Sequence, residues 1–372
     1  MEENYLEKET REVIHRLKDF FSFEELKENF GFSYIAKDKD DSLNYHEYLE
    51  ELERYLRLGH TRNRPSVLDL NPSFEALDKG AILSTGELYS IAELLSSSMD
   101  FYDQLGQEAD FYHLRDDALD LNPVLQLQKD IHFAINPDYT IADHASNALF
   151  TVRGQIRSVE KRLSEARNDY KNRYSRYLSE DVITMKGGEE ALPVKSDSKG
   201  RIKGSVVSYS STGQTVYRVP YEVLDLRNKL SSLKQEESRE ETKILSELSQ
   251  KAGKQLPYIK KDYKILRNFD RFLSCVRFGS TYHGSIAELS DSVFELQGFF
   301  HPLLKANKII KNHLSLGKNN PKCLLITGPN AGGKSVLIKA VALCVRMDKL
   351  GRMVPCEEGA KLPFVDYVYF LG

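Results

Sequence analysis

Hydrophobic side chains recur at helical spacing through about the first 120 residues of the chain. A clear example is Ile91 and Leu94, which follow a helix start at Ser84 with Glu87 three residues later. Glycine and proline residues divide this stretch into short helices and turns. The pattern predicts a helical N-terminal or core domain over residues 1–147.

Two longer helical patterns follow, and both are amphipathic. The first runs from Ala148 to about Tyr177, and the second from Val223 to about Gly253, after which residues 254–290 return to helix. In the first pattern the apolar residues form one narrow stripe along the helix, with charged residues on both sides. Such a stripe favours a long arm packed against another arm. The stripe of the first arm falls at i, i+3, i+7, i+10 and i+14 and consists of Ile156, Val159, Leu163, Ala166 and Tyr170.

The segment between the two arms, residues 181–221, has a different texture. It is rich in Val, Tyr, Thr and Gly, with short alternations over 191–195, 202–209 and 214–219. Alternation of this kind, separated by glycines, predicts a small β element at the tip of a helical hairpin. We therefore assign residues 148–290 to lever arms that carry a β tip.

From Val293 onward the pattern becomes that of alternating strands and helices. Cys323–Thr327 is a short apolar run that predicts a buried strand, and a glycine-rich turn and an apolar-striped helix follow it directly. Residues 291–372 are thus predicted to be the start of an α/β domain of the P-loop type. The whole chain is predicted to be mainly α and multi-domain, with this incomplete domain at its end.

The glycine-rich turn carries the clearest chemistry in the sequence. Glycines let successive backbone N–H groups point inward around phosphates, and the following helix adds partial positive charge at its N-terminus. In this pattern Lys334 reaches the β- and γ-phosphates and the Ser335 hydroxyl ligates Mg²⁺. The predicted ATP- and Mg²⁺-binding residues are Gly328, Pro329, Asn330, Ala331, Gly332, Gly333, Lys334 and Ser335.

Composition adds few constraints. The net charge of −3 does not indicate a nucleic-acid binder, although two basic stretches, Arg153–Arg176 and Lys254–Arg277, could form local positive faces or simply solvated helix faces. The four cysteines have no metal spacing, the N-terminus is not a signal peptide, and no apolar run could span a membrane. These features favour a cytoplasmic protein without a membrane partner.

Two further features carry little weight. The F-x-E triplet at Phe23–Glu25 is interpreted as a chance match to a short motif. His301 is interpreted as packing near the nucleotide or capping a turn.

Several motifs resemble those of the MutS family, which includes mismatch-repair and recombination ATPases. The glycine-rich turn is similar to the family's GPN-x-GGK-S/T loop, and His301–Leu304 and Gly351–Pro355 are similar to its HPLL and Gly-x-x-Val-Pro segments. Within the family, Leu192–Lys195 and Val223–Leu230 resemble the bacterial MutS-two branch, which is usually fused to a Smr endonuclease domain. The resemblance covers most of residues 66–372.

The resemblance implies an ATP-gated clamp that works as a homodimer on nucleic acid. In that branch the substrate is either DNA, in suppression of recombination, or a stalled ribosome, and the sequence favours neither. No Asp-Glu pair and no Smr domain follow Ser335, so we expect a chain truncated within the ATPase domain that does not turn over ATP alone, and we assign no catalytic residue. Two alternatives stay open: a non-catalytic fragment of a split or frameshifted gene, and an unrelated P-loop ATPase with coiled-coil arms.

Overall fold

A computed structural model describes residues 5–60, 67–122, 124–180, 182–305, 309–317, 321–329 and 332–369. Helices dominate it, as predicted. They are α1 (Tyr5–Lys18), α2 (Glu24–Asn29), α3 (Lys39–Arg57), α4 (Asn71–Asp78), α5 (Thr85–Leu105), α6 (Tyr112–Leu119), α7 (Leu125–Ala134), α8 (Asn147–Tyr174), α9 (Tyr221–Ser280) and α10 (Lys334–Lys349). The strands are β1 (Thr184–Lys186), β2 (Glu189–Lys195), β3 (Gly204–Tyr209), β4 (Thr215–Pro220), β5 (Glu288–Leu289), β6 (Val293–Phe299), β7 (Asn312–Gly317) and β8 (Lys361–Leu362).

The chain divides into two compact units, each built from separate stretches of sequence. The base unit consists of residues 1–79, 90–128 and 253–372, and the arm unit consists of residues 80–89 and 129–252. Both units therefore depend on contacts between residues far apart in the chain. The domain limits predicted along the sequence, at 147 and 290, stay predictions.

The predicted start of α5 is confirmed and has the geometry of a capping box. The backbone N–H and the hydroxyl of Ser84 both donate to the Glu87 carboxylate, at 2.8 and 2.7 Å. The Glu87 N–H in turn donates to the Ser84 hydroxyl at 3.3 Å. This reciprocal pairing satisfies backbone donors that the first turn of a helix leaves without partners.

The arm unit contains the two predicted arms and the β tip between them, and all three are confirmed. The apolar stripe of α8 is buried against the first part of α9, where Val223, Leu226 and Leu233 face it. The tip is an antiparallel sheet with strand order β1-β2-β4-β3. A small core of Leu178, Leu192, Val194 and Ile202 holds the tip together.

The second arm is longer than predicted, because α9 is one continuous helix of 60 residues. The expected end near Gly253 is wrong, and so is the expected helix over 281–290, where a turn and β5 occur instead. Pro257 removes one helical hydrogen bond. The helix continues through it because the next turns bury Ile259, Phe269 and Phe272 in the base unit.

The base unit holds a second four-stranded sheet, with strand order β5-β8-β6-β7. The buried strand predicted at Cys323–Thr327 is wrong: the segment has no strand conformation, and Leu324 and Leu325 are exposed. The segment Phe364–Val368 also has no strand conformation. A strand needs a hydrogen-bonded neighbour, and among the described residues neither segment pairs with one.

Several smaller expectations can be compared with the structure. Cys275, Cys344 and Cys356 are buried free thiols, whereas Cys323 is exposed, and no metal-binding cluster occurs among the described residues. Phe23 of the F-x-E triplet is buried against Tyr263, so it serves the core. None of the described helices combines the length and apolar character that crossing a membrane requires.

Candidate nucleotide site and basic tip

The glycine-rich turn leads directly into α10. Gly333 is the N-cap residue, with φ of 84°, and Gly328 has φ of 153°, both in the region that favours glycine. A side chain added at either glycine would meet nothing within 4 Å, so the space in front of both backbones is open. The buried side chains of Ala340 and Leu343 hold the helix against the rest of the base unit.

A pocket of about 490 Å³ lies at this turn. Its walls come from the turn itself, the first two turns of α10, the start of β7 and the segment after β6. Ser335 is exposed in the first turn of α10 but does not line the pocket, and Asn330 and Ala331 lie outside the described residues. The predicted site residues that line the pocket are Gly328, Pro329, Gly332, Gly333 and Lys334.

Lys334 provides the positive charge of this pocket. Its side-chain ammonium group donates a hydrogen bond to the carbonyl oxygen of Gly328, across the turn. An ammonium group held over open glycine backbone at a helix N-terminus suits an anionic ligand, because all three features favour negative charge. The arrangement can therefore bind phosphate groups.

His301 lines the pocket, and its ring caps a turn, which confirms one of the two roles that the sequence suggested. The other role, packing near a nucleotide, stays a prediction. The His301 side chain is 7 % exposed. The ring Nδ1 accepts a hydrogen bond from the Leu303 N–H at 3.4 Å, and Nε2 lies 3.4 Å from the Glu9 carboxylate. Burial of the imidazole lowers the pKa of His301, although Glu9 acts in the opposite direction.

Sequence reasoning missed two residues beside this pocket. Glu9, on α1, accepts a hydrogen bond from Lys339 of α10 at 3.0 Å in addition to its contact with His301. The chain separates Glu9 from Lys339 by 330 residues, and neither side chain belongs to a motif. No local pattern could have identified this pair.

The far end of α10 is fixed by a buried pair. His46 Nε2 and Asp348 Oδ1 are 2.8 Å apart, and both side chains are almost fully buried. Burial by itself lowers the pKa of His46, but the hydrogen bond and charge of Asp348 outweigh it, so the pKa is raised. The Asp348 carboxylate thus stabilises the packing of α10 against α3.

The β tip presents a second candidate surface, on the arm unit. Lys199, Arg201 and Lys203 alternate with Gly200 and with Ile202, which is fully buried in the tip core. All three cationic side chains are exposed, and within the described part of the chain none has an ion-pair partner. This short basic strip is therefore available to an anionic partner.

Comparison with known proteins gives a consistent result for both units. The family model for MutS domain V matches residues 324–370. The endonuclease MutS2 of Clostridium kluyveri is 29 % identical over 368 residues, covering 95 % of this chain and 47 % of the relative. The endonuclease MutS2 proteins of Clostridium tetani and Clostridium botulinum match over the same shares at 28 % and 27 % identity.

A mainly helical chain with paired arms, a β tip and a match to MutS domain V is similar to proteins of the MutS family. The relatives that it resembles over most of its length are MutS2 proteins, as the tip and arm motifs indicated. The chain spans about half the length of the curated relatives that it matches.

Proposed function

We propose that this protein is an ATP-binding clamp that acts on DNA. In this proposal, nucleotide binding at the base unit controls the affinity of the arms for nucleic acid. The observation that carries the proposal is the pocket at the glycine-rich turn, which combines open glycine backbone, a helix N-terminus and Lys334. The similarity to MutS2 proteins and the match to MutS domain V support the same function. Homodimer formation belongs to the proposal as well.

The residues at the turn fit ATP with Mg²⁺. Lys334 would hold the phosphates through its charge, and the N–H groups of the glycine-rich turn would donate to phosphate oxygens. Ser335, in the first turn of α10, would supply a hydroxyl ligand to Mg²⁺. When bound, the metal neutralises phosphate charge.

The proposed nucleic-acid surface is the basic strip of the tip. Free cations at short spacing bind the phosphate backbone of DNA without reading its sequence. Tyr209, 64 % exposed at the far end of edge strand β3, adds an aromatic face elsewhere on the tip. A helix of 28 residues, the length of α8, spans about 40 Å, so the tip lies far along the arms.

A ribosomal substrate is the second candidate, because ribosomal RNA offers the same phosphate charge. DNA is favoured because a strip of cations without a shape-specific pocket suits a regular duplex backbone. An inactive fragment is the further alternative. It predicts no retention of ATP or DNA by the folded protein. This outcome distinguishes it from a clamp that acts on DNA and from one that acts on the ribosome.

Replacing Lys199, Arg201 and Lys203 together by Gln should weaken DNA binding and flatten its dependence on salt. Each lost phosphate contact lowers the slope of log K against log salt by about 0.9, so the slope should fall by roughly 3 if all three residues touch phosphates. Fluorescence anisotropy with a labelled duplex at several salt concentrations measures both quantities.

The control is a triple Gln variant at Lys161, Arg162 and Lys229, which are exposed on the shafts of α8 and α9. It removes the same charge from the arm unit but leaves the tip unchanged. Equal losses in the two variants would show that net charge, and not the tip, governs DNA binding. A ribosome-pelleting assay on the same variants tests the second candidate.

A further inference from the structure

The carboxylate of Glu9 lies where three elements of the base unit meet. From α1 it reaches Lys339 on α10 at 3.0 Å with one oxygen and His301 after β6 at 3.4 Å with the other. The side chains of Glu9 and Lys339 are 20 % and 19 % exposed. A carboxylate only accepts hydrogen bonds, so both nitrogens must donate to it.

The hydrogen bonds of His301 fix which nitrogen carries its proton. Because the Leu303 N–H donates to Nδ1, that nitrogen is unprotonated in the neutral ring. The proton of the neutral imidazole is then on Nε2, facing Glu9. Glu9 and the Leu303 amide therefore hold the ring from both sides, in one tautomer and one orientation at the pocket wall.

Lys339 links Glu9 to α10, the helix that supplies another wall of the pocket. It lies five residues after Lys334 on the same helix, so fixing Lys339 also fixes the position of the helix N-terminus. Among the described residues α1 packs against α10, which brings Glu9 within reach of both partners. One carboxylate thus ties the His301 wall of the pocket to the P-loop helix.

We infer that Glu9 is a positioning residue of the nucleotide site, which sets the His301 ring and the P-loop helix in place for the nucleotide through direct contacts with His301 and Lys339. This inference rests on the proposed binding of ATP at the glycine-rich turn. It makes α1 part of the nucleotide site, although α1 does not line the pocket.

The test compares Glu9→Gln with Glu12→Gln, which removes an exposed carboxylate one turn later on the same helix. We expect Glu9→Gln to weaken binding of a fluorescent ATP analogue by about tenfold, within the usual range of coupling between sites. Glu12→Gln should bind as the wild type does. Equal affinities for Glu9→Gln and the wild type would overturn the inference.

A double variant that lacks both partners of Glu9 shows whether Glu9 acts through these partners or through a general effect on α1. In a protein that carries His301→Phe and Lys339→Met, Glu9 has lost both partners, so Glu9→Gln should change ATP affinity by less than about twofold. A full tenfold loss in that background would show that Glu9 acts by another route, and the inference would fail.

The His301 titration gives a readout that needs no nucleotide. The charge of Glu9 raises the pKa of His301 against the effect of burial, so Glu9→Gln should lower that pKa further. Histidine-selective NMR, with His301→Phe to identify the signal, follows the titration. If Glu9→Gln does not fold, Lys339→Met should weaken ATP binding and raise the pKa of His301, because Lys339 lowers it.

The two readouts distinguish the inference from the function on which it rests. A wild-type protein that binds ATP no better than Lys334→Ala would refute the proposed function. An unchanged His301 titration in Glu9→Gln, or in Lys339→Met where that variant is used, would refute the positioning role of Glu9, whatever the nucleotide result.

Discussion

Lys334→Ala is expected to abolish ATP binding. Lys334 is the only cationic side chain among the described residues that line the pocket at the glycine-rich turn. Without it no lysine or arginine among the described lining residues would face the triphosphate, and a charge-assisted hydrogen bond is roughly twice as strong as a neutral one. We expect a loss of roughly a hundredfold, which corresponds to about 2.7 kcal/mol, because hydrogen bonds to charged groups contribute about 1.5–3 kcal/mol.

The measurement is equilibrium binding of a fluorescent ATP analogue in the presence of Mg²⁺. Lys322→Ala is the matched control, because Lys322 is exposed shortly before the turn and does not line this pocket. The wild type and Lys322→Ala should retain the analogue equally. Retention of the analogue by Lys334→Ala at the wild-type level would contradict ATP binding at the glycine-rich turn.

Arg153→Met should lower the stability of the arm unit. The guanidinium of Arg153 donates to Glu237 and Glu241 of α9, to Asp143 and to the Ile141 carbonyl, all at 2.7–2.8 Å. Its side chain is only 18 % exposed. Methionine fills similar space but leaves these acceptors without their donor, which should cost about 2 kcal/mol.

Hydrogen–deuterium exchange of the backbone amides of α8 and the first part of α9 measures this effect locally. A multi-domain protein has no single free energy of unfolding, so a local probe is needed. A change of about 2 kcal/mol should speed exchange there by roughly thirtyfold. Arg157→Met is the control, since Arg157 is 57 % exposed and its single ion pair among the described residues is with Asp143. Its effect should stay below about 0.5 kcal/mol. Equal protection in Arg153→Met and the wild type would contradict this role.

Elements with a strong local signal could be predicted from the sequence. The α8 stripe has helical spacing throughout, the start of α5 has a Ser and a Glu three residues apart, and the tip strands alternate between glycines. In each case the pattern and the packing agree, because the residues that define the period are those that become buried. The glycine-rich turn was predicted in the same way, from local spacing.

Features that depend on distant residues could not be predicted. Gly253 and Pro257 look like an end of α9, but burial of the following turns in the base unit carries the helix through them. The apolar run Cys323–Thr327 looks like a strand but has no partner strand among the described residues. Glu9 reaches the walls of the proposed nucleotide site because α1 packs against α10.

The central claim is that nucleotide binding at the base unit controls the affinity of the arms for DNA. The most direct test is the affinity for a labelled duplex with and without a slowly hydrolysed ATP analogue, for the wild type and Lys334→Ala. Coupling between two sites typically changes affinity by 5–150-fold. We predict a change of at least about fivefold in the wild type and none in Lys334→Ala. Equal DNA affinity with and without the analogue in a wild type that binds both ligands would contradict the account.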